Sequence, residues 1–352
     1  MNRLGFGVIG AGVVGQMRAR TIADSARATL LAVADVDEQR ARAAAAGTGA
    51  RVVREYGELL DMRDVEAVIV SVPAHLHEAA VLAALRAGKH VLCEKPLSIN
   101  AASCRLLVKA AASARRTLAV GFNHRYYPCV TRLKQVLDEG AIGAVDHVRA
   151  FAGHQGLTEF RADWMYESAM SGGGAMMDVG IHVTDLVRFA VGDVVEVHGV
   201  CSNRVWQVPG SEDTAMAIMK TADGVPVRYH ATWSEWKGYR LALEVYGERG
   251  MVGAYYAPMM NLIISRDRDS PRRRRRLLLH PWVNVREKLR GWQTTATLAF
   301  ADELTDFHRL IEGEPSRIAD GTAGCRAVEI AHAVYQSSVS GAAVRLPDPP
   351  VA

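Results

Sequence analysis

Between Leu4 and Asp35 the chain sets an apolar run, a glycine-rich turn and a second apolar run ending on an acid, in the order a nucleotide-binding β-α-β unit requires. The first run, Leu4-Gly5-Phe6-Gly7-Val8-Ile9, leads into Gly10-Ala11-Gly12-Val13-Val14-Gly15; the second, Thr29-Leu30-Leu31-Ala32-Val33-Ala34, ends at Asp35. Gly10 permits the sharp turn out of the strand, Gly12 lets the backbone close on a pyrophosphate, and Gly15 lets the following helix pack tightly. That helix points its positive end at the phosphates. Asp35 stands where a carboxylate accepts hydrogen bonds from both ribose hydroxyls, and its charge opposes a 2'-phosphate, so NAD is expected rather than NADP. Arg40, five residues on, is the one nearby cation that could answer a 2'-phosphate. A G-x-G-x-x-G alone marks many loops; the strand, helix, second strand and acid in register make this one specific.

Composition excludes several classes. The 352 residues, 49% hydrophobic and 23% charged, allow about two globular domains. No apolar stretch approaches the ~20 residues of a membrane span, and a first strand starting by Leu4 leaves no room for a signal peptide, so a cytoplasmic protein with no membrane partner is expected. The five cysteines (Cys93, Cys104, Cys129, Cys201, Cys325) form no C-x-x-C and are expected to be reduced thiols. The net charge of +4 conceals the run Arg272-Arg273-Arg274-Arg275-Arg276 after Pro271. With no aromatic residue interleaved and with Asp267 and Asp269 close by, the run reads as a solvated loop or strand edge rather than a nucleic-acid site.

The first half alternates short apolar runs with helical patterns, the sign of β-α units and a mainly parallel sheet. Strands are expected at 4–9, 29–35, 67–72, 90–93 and 118–121, with helices at 13–24, 38–46, 77–87 and 101–113. Right-handed crossovers gather the strands' carboxyl ends along one edge, which places Ser71-Val72-Pro73 and Glu94-Lys95-Pro96 where ligands bind. Beyond about residue 124, after a helix at 128–139, come alternating β-branched and aromatic segments of an open antiparallel sheet, at 145–153, 195–205, 215–221, 227–233 and 241–246. Helices at 178–190, 298–312 and 321–340 complete this half, the last expected to pack back on the first domain. The division expected is a dinucleotide-binding domain over 1–124, a substrate-binding and oligomerisation domain over 125–340, and a tail over 341–352.

Two constellations carry chemistry. Lys95, held between Glu94 and Pro96 at a strand end, offers an ammonium that can stabilise an alkoxide as an alcohol loses its proton; a surface lysine in a turn is the competing reading. In Gly172-Gly173-Gly174-Ala175-Met176-Met177-Asp178-Val179-Gly180-Ile181-His182 the carboxylate and imidazole lie four apart and share a helix face, a spacing that suits a carboxylate orienting a general base. A core histidine and a glycine loop are the alternative there, and Asp185 adds a third polar group off that stripe. Metal is not expected: Asp178 and His182 supply two ligands at best, and His75 and His77 face opposite ways on a strand. There is no G-x-S-x-G to support a serine nucleophile.

The chain resembles the glucose-fructose oxidoreductase, inositol dehydrogenase and rhizopine catabolism group, Gfo/Idh/MocA. The matching segments are the glycine turn at 10–15, Glu94-Lys95-Pro96, Gly121-Phe122-Asn123-His124-Arg125-Tyr126, the 172–185 run, Gly192-Asp193 and the 320–347 stretch, in family order over essentially the whole chain. The resemblance implies an α/β fold: an N-terminal Rossmann doubly wound parallel sheet and a C-terminal α/β domain with a large, open, mostly antiparallel sheet whose exposed face makes homodimers or homotetramers. It implies Lys95 as catalytic lysine, Asp178 as substrate-orienting carboxylate and His182 as acid/base. Gly10, Gly12, Val13, Val14, Gly15, Asp35, Ser71, Val72, Pro73, His77, Glu94, Lys95 and Asn123 are the expected NAD contacts. Arg125, Tyr126, His154, Trp164, Trp236 and Tyr239 are the expected substrate contacts. The function implied is NAD-dependent oxidation of a secondary hydroxyl of a sugar, glycoside or cyclitol. An NADPH-linked ketone or imine reductase, a non-catalytic dinucleotide-sensing regulator and an NAD-dependent glycosidase stay open as alternatives. The five-arginine run has no counterpart in the family pattern.

Overall fold

Apolar runs of four to seven residues, too short for helices, form the strands of a parallel sheet: β1 (Leu4–Ile9), β2 (Ala28–Ala34), β4 (Ala67–Val70), β5 (His90–Glu94) and β6 (Leu118–Gly121), with a three-residue β3 (Arg51–Val53) at one edge. The helices between them are α1 (Val13–Ala23), α2 (Glu38–Ala45), α3 (Tyr56–Leu60), α4 (His77–Arg86) and α5 (Ala101–Ala114). The parallel order is β6-β5-β4-β1-β2-β3, so the winding reverses beside β1 and opens a crevice at the carboxyl ends of β1 and β4. Phe6, Val8, Val33, Ile69 and Leu92 fill the core beneath that edge. β3 and α3 carry runs too short to be read from the sequence.

This computed structural model describes residues 3–156, 162–266 and 272–347, and the chain divides into two compact units, Met1–Asn123 with Gln293–Arg326 and His124–Trp292 with Ala327–Pro349. The second unit opens with α6 (Pro128–Asp138), β7 (Val145–Gly153), the one-turn α7 (Ser168–Ser171), a π-helical turn at Met176–Gly180 and α8 (Ile181–Val191). Seven strands follow: β8 (Val194–Ser202), β9 (Thr214–Thr221), β10 (Pro226–Thr232), β11 (Arg240–Gly247), β12 (Gly250–Tyr256), β13 (Met260–Arg266) and β14 (Arg273–Leu279). A helix α9 (Pro281–Arg290) ends the segment. The chain then runs through α10 (Gln293–Ile311), β15 (Ala319–Asp320), α11 (Gly321–Ser340) and β16 (Val344–Arg345).

The nine-stranded sheet has the order β14-β13-β12-β11-β7-β10-β9-β8-β16, antiparallel throughout except where β7 runs parallel to β10. Strict alternation sorts its two faces. Val148, Ala150, Val227, Tyr229, Leu243 and Val245 are buried, on the side where α6 and α8 pack, while Val200, Met216 and Ile218 are exposed on the other. Two details depart from the expected layout. α10 belongs to the first unit, where it packs on α1. The stretch taken as a tail contributes β16, which pairs with β8. Four of the five consecutive arginines lie in β14, the edge strand, in keeping with the strand-edge reading of that run. Among the described residues no helix is long and apolar enough to cross a membrane.

Candidate functional site

The glycine turn is explained atom by atom in the first unit. Gly10 has φ +92, and a Cβ there would lie 2.6 Å from the carbonyl oxygen of Ser71, at the end of the neighbouring β4. A Cβ on Gly15 would sit 1.9 Å from the carbonyl oxygen of Gly10, so the first turn of α1 rests on the turn that precedes it. Gly12 differs: no atom lies within 4 Å of a Cβ built there. It is the N-cap of α1, with no side chain capping the helix, so backbone N–H groups face open space as an anion cradle requires. Asp35 stabilises this geometry, its Oδ2 accepting from the Ala11 N–H at 2.6 Å and its Oδ1 from the Asp37 N–H at 2.8 Å. Arg40 is engaged by Asp37 at 3.1 Å. Because the space beside Gly12 is empty of protein, Gly12→Ala is expected to change the melting point little, the cost being that of a poorer N-cap. NADH affinity should fall about tenfold or more, which a fluorescence titration measures.

Along the same edge, Lys95 ends β5 half-buried, beside Ser71 and Val72 at the end of β4. His77 lies behind them, 1% exposed, with Nε2 2.9 Å from the Val72 carbonyl and Nδ1 2.8 Å from the Pro96 carbonyl. Burial lowers its pKa against the two carbonyls, which favour the protonated ring; a neutral imidazole donates to one of them at a time. Glu94 turns to Arg18 on α1, which is fully buried between Glu94 and Glu303 of α10, 2.6 Å from each, and lies 3.7 Å over the Phe300 ring. Burial opposes that charge first, and Glu94 and Glu303 more than offset it, leaving the Arg18 pKa above its ordinary value.

In the second unit the chemistry gathers around the π-helical turn. Asp178 is 8% exposed, and its Oδ2 accepts from the Trp233 indole N–H at 3.0 Å and from His154 Nε2 at 2.8 Å. The Gly156 N–H donates to His154 Nδ1 at 2.9 Å, so that nitrogen carries no proton and the ring is the neutral Nε2–H tautomer. His182, the second residue of α8, stacks on His124 with ring centroids 3.8 Å apart. His124 in turn meets Tyr127 at 4.5 Å and Tyr239 at 6.3 Å, and Tyr256 closes the aromatic wall. Arg125 forms a buried bidentate pair with Asp185, Nε to Oδ2 at 2.7 Å and Nη2 to Oδ1 at 2.6 Å. Among the described residues no three histidine, cysteine or acidic side chains are placed to hold a metal ion.

Glu212, on the loop before β9, holds the π-helical turn in place. Its Oε2 accepts from the Gly174 N–H at 2.9 Å and its Oε1 from the Met176 N–H at 2.7 Å and the Tyr335 hydroxyl at 3.1 Å. Burial is the largest influence on this carboxyl and raises its pKa against the pull of those donors. The glycine run is required here: a Cβ on Gly174 would lie 1.9 Å from the Glu212 carbonyl oxygen, and one on Gly173 2.1 Å from the Tyr335 hydroxyl. Glu212→Ala orphans two backbone donors and is expected to cost about 1–3 kcal/mol for each, read from urea melts, with a lower kcat as Asp178 loses its support. Glu212→Gln, which still accepts, should recover part of both.

Residues 4–122 match the family model described as an oxidoreductase family with an NAD-binding Rossmann fold, and residues 130–253 match the GFO/IDH/MocA C-terminal domain. The chain belongs to the Gfo/Idh/MocA family. Among curated relatives, the inositol 2-dehydrogenase of Acidothermus cellulolyticus is 32% identical over 310 residues, 86% of this chain and 83% of that one. That of Rhizobium meliloti is 28% identical over 336 residues, 94% and 96% of the two chains. A putative myo-inositol dehydrogenase from Sinorhizobium meliloti superposes with a TM-score of 0.80 at 27% identity, covering 98% of this chain and 100% of that one. Levoglucosan dehydrogenase in complex with NADH shares the fold with a TM-score of 0.85 at 24% identity, over 98% and 100% of the chains. As in the rest of the Gfo/Idh/MocA family, the N-terminal domain is an NAD-binding Rossmann fold, and the open space at Gly12, the uncapped α1 and Asp35 fit that cofactor.

Several residues expected to touch a ligand are also engaged within the Gfo/Idh/MocA scaffold. Glu94 is paired with Arg18, and His77 lies against the Val72 and Pro96 carbonyls. Arg125 was expected to border the sugar, but it is 8% exposed and its guanidinium is committed to Asp185. His154 fixes Asp178 rather than forming a wall. Tyr126 is buried and Trp164 half-buried, whereas Trp236 is 64% exposed and packs against Trp206 with the two rings tilted. Tyr239 does join the aromatic cluster around His124 and His182. Val13 is 65% exposed at the mouth of the glycine turn, Pro73 caps a short 3₁₀ turn, and Asn123 follows β6 at the same carboxyl edge. Arg18, His124, Glu212 and Trp233 were missed. A buried arginine and an indole donor have no periodic signature, and only His124, inside the Gly121–Tyr126 motif, stood in a segment that could have flagged it.

Proposed function

We propose that the protein oxidises a secondary hydroxyl of a cyclitol or sugar, with NAD as the acceptor. The observation that carries this reading is Asp178, a buried carboxylate fixed by two N–H donors one turn before an imidazole, on a chain about one third identical to inositol 2-dehydrogenases. Nicotinamide, when bound, supplies the hydride acceptor. His182 removes the hydroxyl proton, and stacking on His124 holds its ring plane. Asp178 accepts a hydrogen bond from the polyol and favours the protonated imidazole that forms. Lys95 places a positive charge where the alkoxide develops. Asp35 selects NAD over NADP, because a 2'-phosphate would meet its carboxylate. The exposed apolar side chains on the open face of the nine-stranded sheet, Val200, Met216 and Ile218, support a homodimer or homotetramer formed through that face.

The test is NADH formation across a panel of inositols, sugars, glycosides and aminosugars. NAD-dependent turnover of a cyclitol or sugar supports the reading. Tight NADH binding with no turnover of any polyol in the panel sinks it and favours a dinucleotide-sensing regulator.

A further inference from the structure

The arginine run has no part in the chemistry above, yet the fold uses it. In β14 the side chains alternate, so the four arginines split between the two faces of the sheet edge. Arg276 pairs in register with Ile263 and Arg274 with Ser265, and Ile263 is buried on the side where α6 packs. Arg274 and Arg276 therefore point to the helix-covered side, and Arg273 and Arg275 to the open face. On the helix side these two join Arg249 from the turn before β12 and Arg132 from α6 around a cleft of about 430 Å³, whose rim also includes Arg266 at the end of β13, the register partner of Arg273. Glu139 is the one carboxylate among the described residues of its lining, and Val136 and Ile263 form its apolar floor.

Arg249 and Arg132 are each held in place by the protein. Arg249 Nη2 donates to the Gly140 carbonyl at 2.8 Å, and Arg132 Nη1 lies 3.2 Å from Glu139 Oε1. A guanidinium carries five N–H donors, so neither bond exhausts its side chain. Five cations around one partly enclosed cleft repel one another. A multiply charged anion relieves that repulsion. Phosphate suits it better than a single carboxylate, because several forked donors need several acceptor oxygens. The charges converge on a cleft of small-molecule size instead of tracking along a surface, and no aromatic side chain lines it to stack a base, which argues for a compact ligand over a nucleic acid.

We propose that this cleft binds a small, multiply charged phosphate, either inorganic pyrophosphate or a phosphorylated sugar. The test uses the full chain saturated with NADH, so that the Rossmann turn is filled, with pyrophosphate and a hexose 6-phosphate titrated separately by calorimetry at near-physiological salt. Arg274→Gln with Arg276→Gln is expected to weaken binding about tenfold or more. Arg273→Gln with Arg275→Gln, which removes the same charge from the opposite face of the same strand, should leave affinity within about twofold. Arg132→Gln, on α6, should show the loss independently if the strand variant folds poorly. Tighter binding of one probe identifies whether the inorganic group or the organic phosphate is the ligand. No binding of either probe at millimolar concentration overturns the proposal, as does an equal loss in the two charge-matched strand variants. NADH saturation is followed by its own fluorescence, so failure of the cleft and failure of the dinucleotide site are read separately.

Discussion

His182→Ala is expected to lower kcat by about 10²–10⁴-fold, the usual contribution of a positioned general base, while NADH affinity stays unchanged. The imidazole stacks on His124 in the second unit, and the glycine turn belongs to the first, so the substitution removes a proton acceptor without altering the residues that cradle the dinucleotide. His182→Asn, which keeps a planar polar side chain but no basic nitrogen, should be equally slow. That result separates loss of chemistry from loss of packing. Equal melting points for the variants and the parent, with kcat reduced in both, would establish the base. Normal turnover of a substrate by His182→Ala would remove His182 from the mechanism. Lys95→Ala should lower kcat by about 10²–10³-fold on the same readout, as expected for one donor aimed at a developing oxyanion.

Arg18→Leu is expected to be the most destabilising single change in the first unit, costing about 3–5 kcal/mol and lowering the melting point by roughly 10 °C. The guanidinium is fully buried between Glu94 and Glu303, and its removal strands two carboxylates in the interior. Stranded carboxylates take raised pKa values, so the folded variant holds protons that its unfolded chain releases. The penalty is therefore present at pH 7.5 and shrinks as pH falls through the raised folded values, which urea melts at pH 7.5 and pH 5 will show. Combining Arg18→Leu with Glu94→Gln and Glu303→Gln should recover most of the loss, because no charge is then left unpaired. A single variant as stable as the parent at pH 7.5 would show that the triad contributes nothing.

The parallel half of the fold was legible, β3 and α3 apart, because its longer strands are largely buried and read as apolar runs, punctuated by glycine or by helical spacing. β1 and β6 fall at the expected residues, and the helices end within about a turn of expectation. The second half was legible where alternation was strong, as in β7 and β9, and silent where it was not. β14 is largely arginine and lies on the sheet edge, so its strand character comes from pairing with β13 rather than from any hydrophobic pattern. α9 buries none of its residues, which removes the contrast between faces that periodicity depends on.

The site divides along the same line. Gly10, Gly15 and Asp35 were readable because they fall in one β-α-β pattern of fixed spacing, even though Asp35 meets the Ala11 N–H across 24 positions. The spacing of Asp178 and His182 was also visible, but a π-helical turn precedes α8, and the donors that grip the carboxylate, His154 and Trp233, come from residues 24 and 55 positions away. Charge told the least. Arg18, Glu94, Arg125 and Asp185 were all visible as ionisable residues, and whether each would meet a ligand or be consumed in an interior pair was invisible.

Local geometry and hydrophobic burial thus wrote the nucleotide-binding half and its cofactor preference into the sequence, because glycine sterics and apolar runs act over a few residues. Tertiary structure alone decided which polar groups are spent on the scaffold and which are held for chemistry. An ion pair or an indole hydrogen bond forms only between groups that folding brings together, and desolvation then makes each such choice costly to undo.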